Sequence, residues 1–138
     1  MSFVTPLKTK AEAGAALRNW IAFLENQTSD KVKAIRTDGA NELINNDVMI
    51  QYMKDKGVKA EPSAPCSPKQ NGNTERHNQV LLERTRAMIL GADLPLRNLA
   101  EAIVRATFLM NRSPTGDGKT TPYERFYGRR PDVSVLRV

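Results

Sequence analysis

The sequence predicts an α/β domain, because short apolar stretches typical of strands alternate with longer segments in which apolar residues recur at helical spacing. Its 138 residues suffice for one domain with a sizeable core. Hydrophobic residues make up 40% of the chain and charged residues 26%, which is ordinary for a globular protein. No apolar run is long enough to span a bilayer, so we expect no membrane role.

The first third of the chain predicts a strand, a helix and a second strand. Residues 2–7 are typical of a short strand. Thr9 followed by Glu12 has the form of a capping box and predicts an amphipathic helix that ends near Asn26. Apolar residues then return at 32–37 and predict a six-residue strand.

The middle of the chain predicts a short helix, a third strand and a loop. Asn46 and Asp47 can cap the helix, and Gly57 is a plausible C-terminal stop. Residues 58–61 predict the strand. Residues 62–72 contain three prolines and a terminal Asn-Gly, so we expect a loop there.

The last third predicts three helices. One begins at Asn73 and places Leu81, Thr85, Met88 and Ala92 on one face; the next begins around residues 93–95 and buries Leu99, Ile103 and Phe108. Thr121 and Glu124 repeat the capping-box form before a short helix that stops at Gly128. We divide the chain into a core at residues 1–112 and a C-terminal extension at residues 113–138 with a basic tail.

Two acidic residues carry the chemical signal. Asp38 follows an apolar strand, and Glu75 opens the long helix, with 36 residues between them. Each has an ordinary structural interpretation alone: Asp38 as a turn residue in Asp-Gly, and Glu75 as a first-turn residue that complements the helix dipole. Together they can converge on a divalent metal, since Mg²⁺ prefers hard oxygen ligands. Phosphoryl transfer needs charge neutralised on both the attacking and the leaving oxygen.

The motifs around these acids resemble the catalytic core of Ty1/copia-type retrotransposon integrases, within the retroviral integrase superfamily. The likeness covers nearly the whole chain, in order. It rests on Arg36-Thr37-Asp38-Gly39, Pro68-Lys69-Gln70-Asn71-Gly72, Leu81-Leu82-Glu83-Arg84-Thr85-Arg86-Ala87-Met88, Asn111-Arg112-Ser113-Pro114-Thr115, Thr121-Pro122-Tyr123-Glu124 and Tyr127-Gly128-Arg129-Arg130-Pro131-Asp132.

The resemblance implies a ribonuclease H-like fold, a mixed sheet flanked by helices, and a two-ion site for Mg²⁺ or Mn²⁺ that supports 3′-end processing and strand transfer. Asp38 and Glu75 match the second and third acids of the family's catalytic set. The first catalytic Asp has no counterpart upstream of Asp30, so we expect the first strand or strands to be missing and the chain alone to bind metal weakly.

Two other interpretations stay open. The chain could be a non-catalytic relic that binds nucleic acid or another integrase chain, or a degenerate fragment with no selected role. We expect sequence-tolerant DNA binding, association with other integrase chains, and an intracellular location in the nucleus or a retrotransposon particle.

Basic residues concentrate in the second half of the chain, which suits a polyanionic partner. The net charge is +6; residues 67–138 carry twelve basic against seven acidic residues, and residues 1–66 nine against eight. Lys69, Arg76 and Asn78 are the candidate nucleic-acid contacts, whereas Arg84 and Arg86 could equally form salt bridges or a solvated face. His77, the single histidine, is more typical of a solvated helix position. Cys66, the single cysteine, allows neither an internal disulfide nor a zinc cluster.

Overall fold

The computed structural model describes residues 1–37, 47–62, 68–116 and 118–136, and for residues 62, 68–71 and 73 the description covers the backbone alone. The chain divides into two compact units. We call residues 7–75 the sheet unit, and residues 1–6 together with 76–138 the helical unit.

The sheet unit is built on two parallel strands. Its elements are α1 (Ala13–Thr28), preceded by a 3-10 turn at Lys10–Glu12, β1 (Ala34–Thr37), α2 (Asp47–Lys56) and β2 (Lys59–Pro62). Ala34 lies opposite Lys59, and Thr37 lies opposite Pro62. The predicted strands at 32–37 and 58–61 are confirmed with small shifts of their ends, and Gly57 ends α2 in the left-handed conformation at φ 67°.

The core of the sheet unit lies where α2 covers the sheet. Met49, Met53 and Val58 are buried there. Five partly buried residues pack against them: Leu17, Val32, Ile35, Tyr52 and Ala60. A Cβ added at Gly14 would lie 3.3 Å from the Met49 Cγ, so glycine lets α1 approach α2 closely. This packing holds the two helices against the strands.

The predicted capping box at the start of α1 takes a modified form. The Glu12 backbone N–H donates to the Thr9 carbonyl rather than to its hydroxyl, at 3.2 Å. The Thr9 hydroxyl and the Lys8 N–H both donate to the Glu12 carboxylate, each at 3.2 Å. The two capping residues therefore fix the start of the helix through the carboxylate.

The predicted strand at residues 2–7 is wrong, because these residues form no regular secondary structure. The buried Asn111 side chain takes the place of a neighbouring strand: its Oδ1 accepts from the Ser2 N–H at 2.9 Å, and its Nδ2 donates to the Ser2 carbonyl at 2.7 Å. Phe3 packs edge-on against Phe126 with ring centroids 6.0 Å apart. The N-terminal segment is thus held to the helical unit by side chains.

The helical unit contains most of α3 (Pro68–Gly91), together with α4 (Leu99–Arg112), which a 3-10 turn at Leu96–Asn98 precedes, and α5 (Pro122–Tyr127). Leu81, Thr85 and Ile89 are buried at helical spacing on α3, and the Thr85 hydroxyl donates to the Leu81 carbonyl at 2.7 Å. This hydrogen bond satisfies a fully buried hydroxyl within its own helix.

The capping signals of the last helix are confirmed. The Thr121 hydroxyl accepts from the Glu124 N–H at 3.0 Å, Pro122 occupies the first turn, and Gly128 ends α5 at φ 67°. These contacts make a short helix of six residues stable at both ends.

Arg112, at the end of α4, lies between two aromatic rings. Its guanidinium carbon is 3.4 Å from the centroid of Phe108 and 4.8 Å from that of Tyr123. Near it, the side-chain hydroxyl and backbone N–H of Ser134 both hydrogen-bond Asp132 and lower the pKa of its carboxyl, with a smaller contribution from the Arg112 charge. Arg112 therefore ties α4 to α5 and the segment beyond it.

In the part of the chain that the structure describes, no helix has the length and apolar character needed to cross a bilayer.

Candidate metal and nucleic-acid site

The carboxyl ends of β1 and β2 meet at one edge of the sheet, because the strands are parallel and Thr37 lies opposite Pro62. Asp38 directly follows Thr37 in the chain, and its own position lies outside the described residues. The chain beyond β2 leaves the same edge and reaches α3 at Pro68, six residues later. In open α/β sheets ligands bind beyond this edge, so the end of β1, which directly precedes Asp38 in the chain, lies where a site is expected.

Glu75 lies within α3 rather than at its start. The helix begins at Pro68, so the prediction of a loop through Gly72 is wrong for residues 68–72. Proline is tolerated at the first helical position, where its missing N–H would have no partner. Glu75 follows Pro68 by seven residues, about 10 Å along the helix axis. The first turn of α3 contains no acidic residue, so the dipole-complementing role considered for Glu75 does not apply.

The Glu75 side chain is exposed, and it pairs with no basic residue in the described ranges. An exposed carboxylate without an ion-pair partner keeps its oxygens available to a cation. Among the described residues, which do not include Asp38, no group of three or more His, Cys, Asp or Glu could hold a metal. The proximity of Asp38 to Glu75 thus stays a prediction.

The candidate DNA contacts lie along the first half of α3. Arg76 and Asn78 are exposed, and Lys69 lies in the first turn of the helix, where its side chain is outside the description. Asn78 follows Glu75 by three residues, the spacing that brings side chains to one face of a helix. The Arg76 and Asn78 side chains are accessible to a polyanion, and contact of all three residues with DNA stays a prediction.

Several contacts of this region were not found from the sequence. The His77 Nε2 lies 2.7 Å from the Ser2 hydroxyl, so His77 is hydrogen-bonded on an exposed surface. Asn111 and Arg112 belong to a motif that resembles integrases, but the motif did not predict their contacts. Asn111 hydrogen-bonds Ser2, and Arg112 lies between two aromatic rings. Cys66 lies outside the described residues.

Curated proteins similar to this chain are transposon polyproteins. The Pol polyprotein of transposon TNT 1-94 from Nicotiana tabacum is 33% identical over 109 residues, which is 79% of this chain and 8% of that protein. The Pol polyprotein of transposon RE1 from Arabidopsis thaliana is 25% identical over 138 residues, 99% of this chain and 9% of that protein. The chain thus spans less than a tenth of the length of these relatives. No family model matches it.

Solved structures similar to this chain are retroviral integrases. The catalytic core domain of BIV integrase matches with a TM-score of 0.63 and 21% identity, covering 91% of this chain and 76% of that one. The intasome of simian T-cell lymphotropic virus in complex with the PP2A regulatory subunit B56 gamma matches with a TM-score of 0.64 and 19% identity, covering 97% of this chain and 47% of that one. The predicted α/β, ribonuclease H-like fold class is confirmed.

The position of Glu75 within a regular helix can be tested at Gly72. Gly72→Ala should raise the free energy of unfolding by about 0.5–1 kcal/mol, because a helical glycine costs backbone entropy and an added Cβ meets nothing within 4 Å. The matched control is Gly57→Ala, which should lower it by about 1–2 kcal/mol because Gly57 has φ 67°. Urea unfolding at constant slope measures both. A loss of stability in Gly72→Ala would place Gly72 in a turn.

Proposed function

Because this chain is related to transposon Pol polyproteins and has the fold of retroviral integrase catalytic cores, we propose that it is the integrase core segment of a Ty1/copia-type retrotransposon and acts in DNA integration. One observation carries this proposal. The parallel strands β1 and β2 end at one sheet edge, β1 ends directly before Asp38 in the chain, and the Glu75 side chain on α3 is exposed.

Asp38 and Glu75 are the residues that would hold Mg²⁺ or Mn²⁺. Their chemistry fits such an ion, since both are hard oxygen donors and the Glu75 carboxylate has no basic partner in the described part of the chain. Two metal ions bound by these residues would activate a water or a 3′-hydroxyl and stabilise the leaving oxygen in phosphodiester chemistry. In this proposal Asp38 and Glu75 are catalytic by holding the ions.

Lys69, Arg76 and Asn78 would bind the DNA backbone beside the acids. Arg76 and Asn78 are exposed on the helix that carries Glu75, and residues 67–138 hold the basic excess of the chain. Contacts of this type neutralise phosphates and do not read base sequence. Binding should therefore tolerate any sequence and weaken with salt.

The 138 residues alone supply two of the three acids of the family's catalytic set, so we propose that this polypeptide by itself is catalytically impaired. A non-catalytic role in binding nucleic acid or another integrase chain is the second candidate, favoured by the exposed Arg76 and Asn78 within the basic half of the chain. For either role we propose that the chain acts in the nucleus or in a retrotransposon particle.

The impairment can be tested with a labelled duplex and Mn²⁺. The chain should nick DNA weakly or not at all, because two carboxylates leave a pair of dications without a third, bridging ligand. Calorimetry should show that Glu75→Gln weakens Mn²⁺ affinity by about tenfold or more. Removing a residue that only orients a metal ligand already lowers metal affinity by about tenfold, and Glu75 is proposed as a ligand itself. Glu83→Gln, on the same helix, is the matched control and should bind Mn²⁺ like the wild type. Robust nicking that Glu75→Gln abolishes would refute the impairment.

DNA binding can be tested by fluorescence anisotropy on two duplexes of unrelated sequence over a salt series. Arg76→Ala should weaken binding to both duplexes equally and reduce the slope of log affinity against log salt by about 1, the value expected for one lost phosphate contact. Lys69→Ala should act in the same way. Arg97→Ala, an exposed arginine beyond the end of α3, is the matched control and should leave the slope unchanged. Equal effects of all three substitutions would contradict a localised DNA surface.

A further inference from the structure

A groove of about 400 Å³ in the sheet unit is lined by α2 and β2, and we call it the β2 groove. Its lining residues come from one face of α2, the turn after it and the start of β2: Ile50, Met53, Lys54, Gly57, Val58, Lys59 and Ala60. A Cβ added at Gly57 would meet nothing within 4 Å, so the groove is open at the turn. Its volume lies in the range of pockets that bind ligand groups.

The backbone of Ala60, in the groove, faces away from the neighbouring strand. β2 pairs with β1, and no third strand joins this sheet among the residues that the structure describes. The Lys59 N–H donates to the carbonyl of Lys33, just before β1, at 2.9 Å. Because backbone groups alternate in direction along a strand, the N–H and the carbonyl of Ala60 point away from β1. An extended peptide can therefore hydrogen-bond to Ala60 from the open side.

The free edge of β2 is short, because the strand ends at Pro62, which has no N–H to donate. Backbone hydrogen bonds at Ala60 can fix the register of a peptide, but they contribute little affinity by themselves. Apolar contact in the groove supplies the rest. Met53 and Val58 are buried there, and Ile50 and Ala60 are partly buried beside them. A partner of the groove thus needs an apolar side chain as well as an extended backbone.

Both charged residues of the β2 groove are basic. Lys54 and Lys59 are exposed, and no acidic residue lines the groove in the described part of the chain. The nearest printed acid contact is shared: the Glu61 carboxylate lies 3.8 Å from the Lys59 Nζ and 3.0 Å from the Arg36 Nη2. One carboxylate that serves two cations leaves an excess of positive charge. Acidic side chains on a partner would therefore be attracted to the rim of the groove.

We propose that the β2 groove binds an acidic, extended peptide segment of a partner protein, which adds as a short strand to β2 at Ala60. An apolar side chain of the peptide covers Met53 and Val58, and acidic side chains on either side of it contact Lys54 and Lys59. A nucleic acid fits this groove less well, because its charged phosphates would cover an apolar floor. The interaction goes beyond the proposed DNA chemistry and does not depend on the two acids of the metal site.

Fluorescence anisotropy of the full 138-residue chain with two labelled peptides tests the proposal. The probes are Asp-Glu-Val-Thr-Val-Glu-Asp and its charge-reversed counterpart Lys-Arg-Val-Thr-Val-Arg-Lys. The acidic probe should bind about tenfold more tightly than the basic probe, because only its charges complement the rim. Binding of both probes with equal affinity would overturn the proposal.

Charge reversal at the rim localises the binding. Lys54→Glu should weaken binding of the acidic probe by about fivefold or more, because it turns an attractive contact into a repulsive one. The matched control is Lys56→Glu, which makes the same change in net charge on the same helix. The Lys56 Nζ lies 4.0 Å from the Glu25 carboxylate, and Lys56 does not line the groove, so this variant should bind the probe like the wild type. Equal losses in the two variants would contradict binding at the groove.

The strand edge is tested separately at Ala60. Ala60→Pro removes the outward N–H, and proline is tolerated where that group faces away from the sheet, so circular dichroism should show a folded chain. Affinity for the acidic probe should fall by about fivefold, the effect of one hydrogen bond. In the wild type, the Ala60 amide should exchange with solvent more slowly when the probe is bound.

Two further outcomes would overturn the proposal. One is an Ala60 amide whose exchange is unchanged by the bound probe, because strand addition requires its N–H to donate to the peptide. The other is a labelled DNA duplex whose affinity falls in Lys54→Glu but not in Lys56→Glu, which would assign the groove to nucleic acid instead.

Discussion

The parallel pairing of β1 with β2 is the constraint on which the candidate site depends. It brings the carboxyl ends of both strands to one sheet edge, where Thr37 ends β1 opposite Pro62, the last residue of β2. The ion pair of Arg36 with Glu61, which lie opposite each other, joins the strands at 3.0 Å. Because this ion pair is exposed, it contributes little to the free energy of folding. The register of the two strands is set mainly by the burial of Val58 and the residues packed on it.

The C-terminal residues that resemble integrase motifs have structural roles in this fold. Asn111 replaces a strand neighbour for Ser2, Arg112 lies between Phe108 and Tyr123, and Thr121 caps α5. These residues therefore hold the helical unit together, whereas the proposed chemistry depends on Asp38 and Glu75.

Much of the fold could be predicted because its signals are local. Thr121 and Glu124 cap a helix through their own backbone, and Gly57 and Gly128 end helices by adopting positive φ. Other predictions were wrong. Where a strand was predicted, Ser2 instead hydrogen-bonds the Asn111 side chain, 109 positions away. Helical periodicity placed Leu99 on a buried face although it is 44% exposed, and the predicted loop is helical from Pro68. For Asp38 and Glu75 the sequence predicted the residue types and spacing; the fold ends β1 directly before Asp38 and includes Glu75 in α3, and their proximity stays a prediction.

The most direct test of the central claim is whether Asp38 and Glu75 share one cation. In an NMR titration, substoichiometric Mn²⁺ should broaden the backbone amide resonances of Asp38 and Glu75 in parallel, and more strongly than that of Glu83, which lies about 12 Å farther along the same helix. Glu75→Gln should reduce the broadening at Asp38 as well as at position 75. Broadening at only one of the two acids, or broadening at Asp38 that ignores Glu75→Gln, would contradict a shared metal site.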